Sequence, residues 1–226
     1  MPDQFLCHFA GLQYTEQYWS LLPDERQHLA ISFRSELQSS FPYHALYQVF
    51  PARSDTDLLL WSSFLVSAPD QPAGFFESIA RLINAHRAYL RSTHSYWGFT
   101  RPSDYSKAKS SQEIDPSSSD HKKYLVVYPF VKTAEWYRVG RDARQGMMNE
   151  HIRIGHQYPQ ITQLLLYSTG LQDQEFIVSY ETDELPAFSA LVSELRSSDA
   201  RPYTLSDTPI FTAIHHSTSD TLNIFS

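Results

Sequence analysis

Two hydrophobic rhythms alternate along the chain and predict its elements. Residues 5–13 read as a strand. Residues 15–39 follow with apolar positions at helical spacing, as in "DERQHLAISFRSEL", with Thr15 as cap and Pro42 ending the element. "YHALYQVFPA" (43–52) and "TDLLLWSSFLVSA" (56–68) predict two strands joined around Ser54 and Asp55. A helix over 72–91, with Pro72 in its first turn, and a strand over "SYWGFT" (95–100) complete the run. Residues 103–121 then carry Ser, Asp and Lys and almost no large aliphatics, as a solvated linker would. Beyond them the same order returns. "KYLVVYPFV" (123–131) predicts a strand, 133–154 a helix that Gly155 terminates, and "QITQLLLYST" (160–169) and "QEFIVSYET" (174–182) two strands joined around Gly170. Residues 184–197 predict a helix and "TPIFTAIHH" (208–216) a last strand. Each run is βαββαβ, the ferredoxin-like unit. The expectation is an α+β chain of two tandem ferredoxin-like halves, 1–102 and 122–226, joined by the linker 103–121 and forming a dimeric α+β barrel.

The duplication is faintly visible in the residues themselves. "YWSLLPDERQ" (18–27) and "WYRVGRDARQ" (136–145) both pair two aromatics and end in Arg-Gln. Seven positions beyond Arg26 stands Phe33, and seven beyond Arg144 stands His151. One copy holds an apolar residue where the other holds an imidazole, so the asymmetry points to the C-terminal half as the bearer of a site.

Composition narrows the classes. The 226 residues are 42% hydrophobic and 14% aromatic, with a formal net charge of −7, which is a globular composition and disfavours nucleic acid as a partner. Cys7 is the only cysteine, so no intramolecular disulfide and no thiolate zinc cluster is expected. "MPDQFLCHFAGLQY" lacks the basic-then-apolar order of a secretion signal, and no apolar run approaches the ~18 residues of a membrane span. A cytoplasmic location and no membrane partner are the expectation.

The stretch "GMMNEHIRIGH" (146–156) carries the candidate chemistry. Positions 136, 140, 143, 147, 151 and 154 recur at the spacing of one helix face, which sets His151 between Met147 and Ile154 on the side expected to be buried. A core histidine donating to a carbonyl gives this pattern; so does a metal ligand. Zinc fits poorly, because His151 and His156 are five apart and the adjacent His215 and His216 face opposite sides of a strand. A haem asks for less: the porphyrin brings its own ligands, one axial histidine suffices, and aromatic walls can line the slot.

The segments "VVYPFVKTAEWY" (126–137), "RQGMMNEHIRIGHQYP" (144–159), "STGLQDQEFIVSYET" (168–182) and "YTLSDTP" (203–209), with "YWGFTRPSDY" (96–105) before them, resemble the chlorite dismutase superfamily of haem proteins, which includes the coproheme decarboxylases. The resemblance covers roughly 90–215. It implies that His151 is the axial metal ligand, on a helix where Met147 also meets the haem, and Asp199 is the candidate acceptor for its second ring nitrogen. Chlorite dismutases place an arginine a few residues before the glycine matched by Gly170. Here Gln163 occupies that place, or Thr162 or Leu164 if the count shifts by one. None can hold an anion by charge.

A glutamine resembles the coproheme decarboxylases, whose strand tyrosine is matched by Tyr128 and whose propionate-side lysine is matched by Lys132. In that chemistry peroxide is the oxidant, a tyrosyl radical removes hydrogen from a porphyrin propionate, and carbon dioxide leaves. The resemblance thus implies a haem-dependent oxidoreductase using haem b or iron coproporphyrin III, with Tyr128, Lys132 and Gln163 catalytic. The small-molecule substrate is peroxide with a porphyrin propionate, or else chlorite at an altered distal side. A haem-binding protein without catalysis and a cofactor-free interaction protein remain as alternatives. The full-length first half favours a homopentamer over other homo-oligomers.

Overall fold

The computed structural model describes residues 4–105 and 110–226. The first half supplies β1 (Gln4–Tyr14), β2 (Tyr43–Gln48), β3 (Leu58–Val66) and β4 (Leu90–Phe99). The second supplies β5 (Tyr124–Lys132), β6 (Thr162–Tyr167), β7 (Phe176–Thr182), a short β8 (Thr204–Ser206) and β9 (Phe211–His215). Eight of these pair antiparallel in the cyclic order β5-β7-β6-β4-β1-β3-β2-β9 and back to β5, while β8 adds to the end of β5 past a register shift at Val131/Lys132. The expected barrel of two α+β halves is therefore present.

Helices cover the barrel from outside: α1 (Glu16–Trp19), α2 (Pro23–Ser40), α3 (Gln71–Ala85), α4 (Ala134–Arg138), α5 (Arg141–Gly155), α6 (Leu185–Leu195) and α7 (Thr218–Asn223). Alternation along each strand builds separate cores. Phe9, Tyr47, Trp61, Leu125, Val127 and Phe211 fill the barrel interior. Phe33, Leu37, Phe75 and Ile79 pack α2 and α3 on the outer face of the first half. Ile154, Ile161, Val178, Tyr180 and Leu191 do the same for α5 and α6 on the second.

The elements differ from expectation in four places. The helix expected over 15–39 divides between Trp19 and Pro23, where the ring nitrogen of Pro23 has no hydrogen to continue the ladder. The helix expected over 133–154 divides at the matching point, between Arg138 and Arg141, so Trp136 sits on α4 and does not continue the face of α5. The helix expected to reach 91 ends at Ala85, and β4 begins at Leu90. A further helix, α7, returns across α2 and β2, and its Leu222 joins the core of the first half.

The linker is less solvated than its composition implies. Residues 106–109 lie outside the described residues. Gln112–Ile114 run beside β6: Gln163 N–H donates to the Gln112 carbonyl (2.7 Å), and Ile114 N–H donates to the Gln163 carbonyl (2.9 Å). Ile114 is buried in the barrel, and the buried His121 ring pairs with the buried Glu181 carboxylate (Nδ1 to Oε1, 2.7 Å), to which the Tyr47 hydroxyl donates at 3.3 Å. Linker, β7 and β2 are thus tied across the barrel.

One seam between the halves depends on a missing side chain. β4 meets β6 at Phe99 and Tyr167, and a Cβ on Gly98 would stand 2.8 Å from both the Tyr167 carbonyl and Ser168 Oγ. Because one obstacle is backbone, Gly98→Ala is expected to destabilise the fold by about 2 kcal/mol. A urea midpoint unchanged from the unmodified chain would contradict this.

Candidate functional site

α5 starts after Gly140 and is anchored at its other end by Ile154, which inserts among Val178, Tyr180 and Leu191 on the outer face of the second half. His151, one turn earlier, lies on the same side of the helix. It is half-buried as a residue, but its ring is enclosed enough that burial pushes its pKa down to about 4; the Lys132 ammonium acts in the same direction and Glu150 opposes. Among the described residues the ring makes no hydrogen bond. The result is a neutral imidazole with an uncommitted lone pair.

The sheet below offers a defined set of side chains. Register places Tyr128 opposite Val178, and Val178 opposite Leu165; Tyr180 lies opposite Gln163. These residues share the outer face with Phe130 and Lys132. Tyr128 stacks with Tyr180 (centroids 6.1 Å apart, planes at 27°), and burial, Tyr180 and Asp207 hold its phenol pKa well above the usual range. Lys132 Nζ donates to Thr204 Oγ1 at 3.3 Å and stands 4.6 Å from the Trp136 ring centroid. Burial and the Arg201 guanidinium lower its pKa to about 8, against the pull of Glu175. The Glu175 carboxylate accepts from the Lys132 backbone N–H at 2.7 Å.

The pleat separates the three candidates on β6. Leu164 is buried in the barrel interior and Thr162 donates to the Glu181 carbonyl, whereas Gln163 is exposed on the outer face. The structure therefore gathers His151, Tyr128, Lys132 and Gln163 on one side of the sheet. Met147 lies one turn before His151 and lines an open cleft of about 650 Å³ with Arg196–Thr204. That cleft adjoins the site and is not lined by His151, Tyr128 or Gln163.

Asp199 departs from expectation. It is exposed, its backbone N–H donates to Glu150 Oε2 at 3.0 Å, and it makes no bond to His151. It belongs to the turn after α6, which α5 holds through Glu150. Three residues were not singled out from the sequence: Trp136 and Tyr180, which pack against the predicted set, and Arg144, two turns before His151. Strand parity from Phe176 would have found Tyr180.

His151 and the buried His8 both have pKa values lowered from 6.5 to about 4 by burial. Between those values the unfolded chain binds protons that the folded chain refuses, so stability falls as pH drops through that window. His151→Gln is expected to flatten the fall in urea midpoint between about pH 7 and pH 4.5, leaving the contributions of His8, His94 and His215, whose pKa values burial also lowers. A slope unaltered by the substitution would show that His151 is not enclosed.

The sequence model described as chlorite dismutase matches residues 23–216. A coproheme decarboxylase of Mycolicibacterium smegmatis is 26% identical over 176 residues, covering 74% of this chain and 70% of its own. A coproheme decarboxylase of Staphylococcus carnosus is 30% identical over 171 residues, covering 68% and 65%. A chlorite dismutase from Candidatus Nitrospira defluvii, solved as an arginine-to-lysine variant, superposes with a TM-score of 0.84 over 100% of this chain and 96% of that one; at 20% identity the likeness is one of fold. Among the described residues no helix is long and apolar enough to cross a membrane.

Proposed function

The chain belongs to the chlorite dismutase family, and we propose that within it the protein is a peroxide-dependent, coproheme decarboxylase-like oxidoreductase. Haem binding comes with the family. The neutral, unbonded His151 ring fits the axial ligand of an iron porphyrin, and the outer face bearing Tyr128, Val178 and Leu165 fits a flat apolar ligand. The observation that carries the reading is that face itself: a phenol, a lysine and a glutamine, and no arginine at Gln163.

An iron porphyrin held by His151 would supply the peroxide-driven oxidising power. Two of the four propionates would each become a vinyl group, R–CH2CH2–COO⁻ + H2O2 + H⁺ → R–CH=CH2 + CO2 + 2 H2O, and the other two would be kept. Tyr128 is suited to carry the hydrogen atom, because burial keeps its phenol protonated and Tyr180 fixes its ring. Lys132 holds a carboxylate, whose approach raises the lowered lysine pKa and favours the ammonium. Gln163 donates or accepts hydrogen bonds but brings no charge, so chlorite lacks the fixed cation that would hold it.

Iron coproporphyrin III loaded into the protein and titrated with peroxide is expected to lose carboxylates stepwise and yield haem b, read by mass spectrometry of the extracted porphyrin. Tyr128→Phe keeps the ring's packing and removes the transferable hydrogen, so conversion should collapse while porphyrin binding persists. His151→Ala should lose the histidine-ligated absorption spectrum. Recovery of only intact or bleached coproporphyrin, or rapid sustained oxygen release from chlorite, would overturn the decarboxylase reading.

A further inference from the structure

Two cations flank Trp136. Lys132 Nζ stands 4.6 Å from its ring centroid and Arg144 Cζ 5.9 Å. Neither ion-pairs with a carboxylate among the described residues, whereas Arg196 and Arg201 both bridge to Asp207. The Nε of Arg144 is buried without a hydrogen-bond partner. Glu175, which faces Lys132, is engaged by the Lys132 backbone N–H and by the Tyr137 hydroxyl. In a chain of net charge −7, two partly buried cations at one ring, neither within ion-pair distance of a carboxylate among the described residues, mark a place for an anion.

The duplicated half serves as an internal control. Thr15, Tyr14, Tyr18, Arg26 and Phe33 of the first half occupy the places of Thr133, Lys132, Trp136, Arg144 and His151 in the second. The arginine is kept: Arg26 Cζ lies 5.7 Å from the Trp19 ring centroid, and its Nε is also buried without a partner. The rest is filled in. Tyr14 stacks on Tyr18 with centroids 3.9 Å apart, and the gap lined by both, with Phe33, holds only about 10 Å³. An arginine against an aromatic is thus part of the duplicated scaffold; a lysine beside it and an open cleft of about 650 Å³ nearby occur in the second half.

We propose that Arg144 is the second cation of a carboxylate clamp with Lys132, and that this clamp makes the site select porphyrins rich in carboxylates. The inference rests on the porphyrin reading of His151. Seven residues separate Arg144 from His151, two helical turns on one face and roughly 10 Å along the axis, a reach suited to the carboxylates at the rim of a porphyrin centred on the imidazole. The guanidinium offers forked N–H donors to one carboxylate while the ammonium takes another.

The test uses metal-free coproporphyrin III (four carboxylates) and deuteroporphyrin IX (two carboxylates), titrated into the full chain by fluorescence, so that iron ligation does not enter. Arg144→Gln should weaken coproporphyrin binding about tenfold and deuteroporphyrin binding less. Arg26→Gln should change neither. In the unmodified protein, coproporphyrin affinity should fall with salt more steeply than deuteroporphyrin affinity, a measurement that needs no variant to fold. Equal affinities for Arg144→Gln and the unmodified chain, an equal loss for both porphyrins, or identical salt slopes would overturn the clamp and leave the porphyrin reading standing. Binding of neither porphyrin by the unmodified chain would overturn both.

Discussion

Closing eight strands into a ring obliges every strand to serve two environments at once. Inward positions meet side chains from across the barrel, where Phe9, Tyr47, Trp61 and Phe211 leave no room for a ligand. Outward positions meet helices, and what the helices leave uncovered becomes a site. The site residues on β5 and β6 follow from this parity. Tyr128 is outward because Val127 is buried inward, and Gln163 is outward because Leu164 packs inside. A one-residue slip of either strand would exchange phenol or amide for an apolar side chain and put a polar group in the core.

Duplication makes the asymmetry informative. Both halves break their first helix at the same point, and both set an arginine against an aromatic ring. One copy has closed the intervening space with Tyr14, Tyr18 and Phe33, which stabilises it by burial. The other has Lys132, Trp136 and His151 in those places, with two polar groups that burial alone penalises: both basic pKa values are displaced toward the neutral form. Retaining such groups where an apolar alternative fits the same scaffold supports placing the proposed site in this half.

The sequence made the strands, their order and the doubling legible because alternation and turn residues are local signals. The helix breaks at Trp19–Pro23 and Arg138–Arg141 were missed because hydrophobic spacing continues across both, although Pro23 and Gly140 mark them locally. The linker was misjudged for a different reason. Its polar composition conceals Gln112, whose side-chain amide donates to the carbonyls of Tyr158 and Ile161 at 2.9 Å and so secures the end of α5 to β6. Of the site, His151 stood out by its motif and its place on a helix face. Arg144 entered only as a landmark of the repeat; its place beside Trp136 without an ion-paired carboxylate is a fact of three dimensions.

Charge is distributed between the depth and the rim of this face. The enclosed groups are neutral near pH 7, the imidazole of His151 and the phenol of Tyr128, and the exposed Gln163 amide beside them carries no charge. A neutral surround neither repels a cationic metal nor competes for it with a fixed guanidinium, and it lets a phenol give up a hydrogen atom without first parting with a proton to a base. On the proposed reading the rim is held by Lys132 and Arg144, neither of which ion-pairs with a carboxylate among the described residues. An anion arriving there would be met by both cations. The same division explains why an arginine in place of Gln163 would alter the chemistry: it would move a fixed positive charge from the edge, where it recognises a carboxylate, to the centre, where it would hold a small anion.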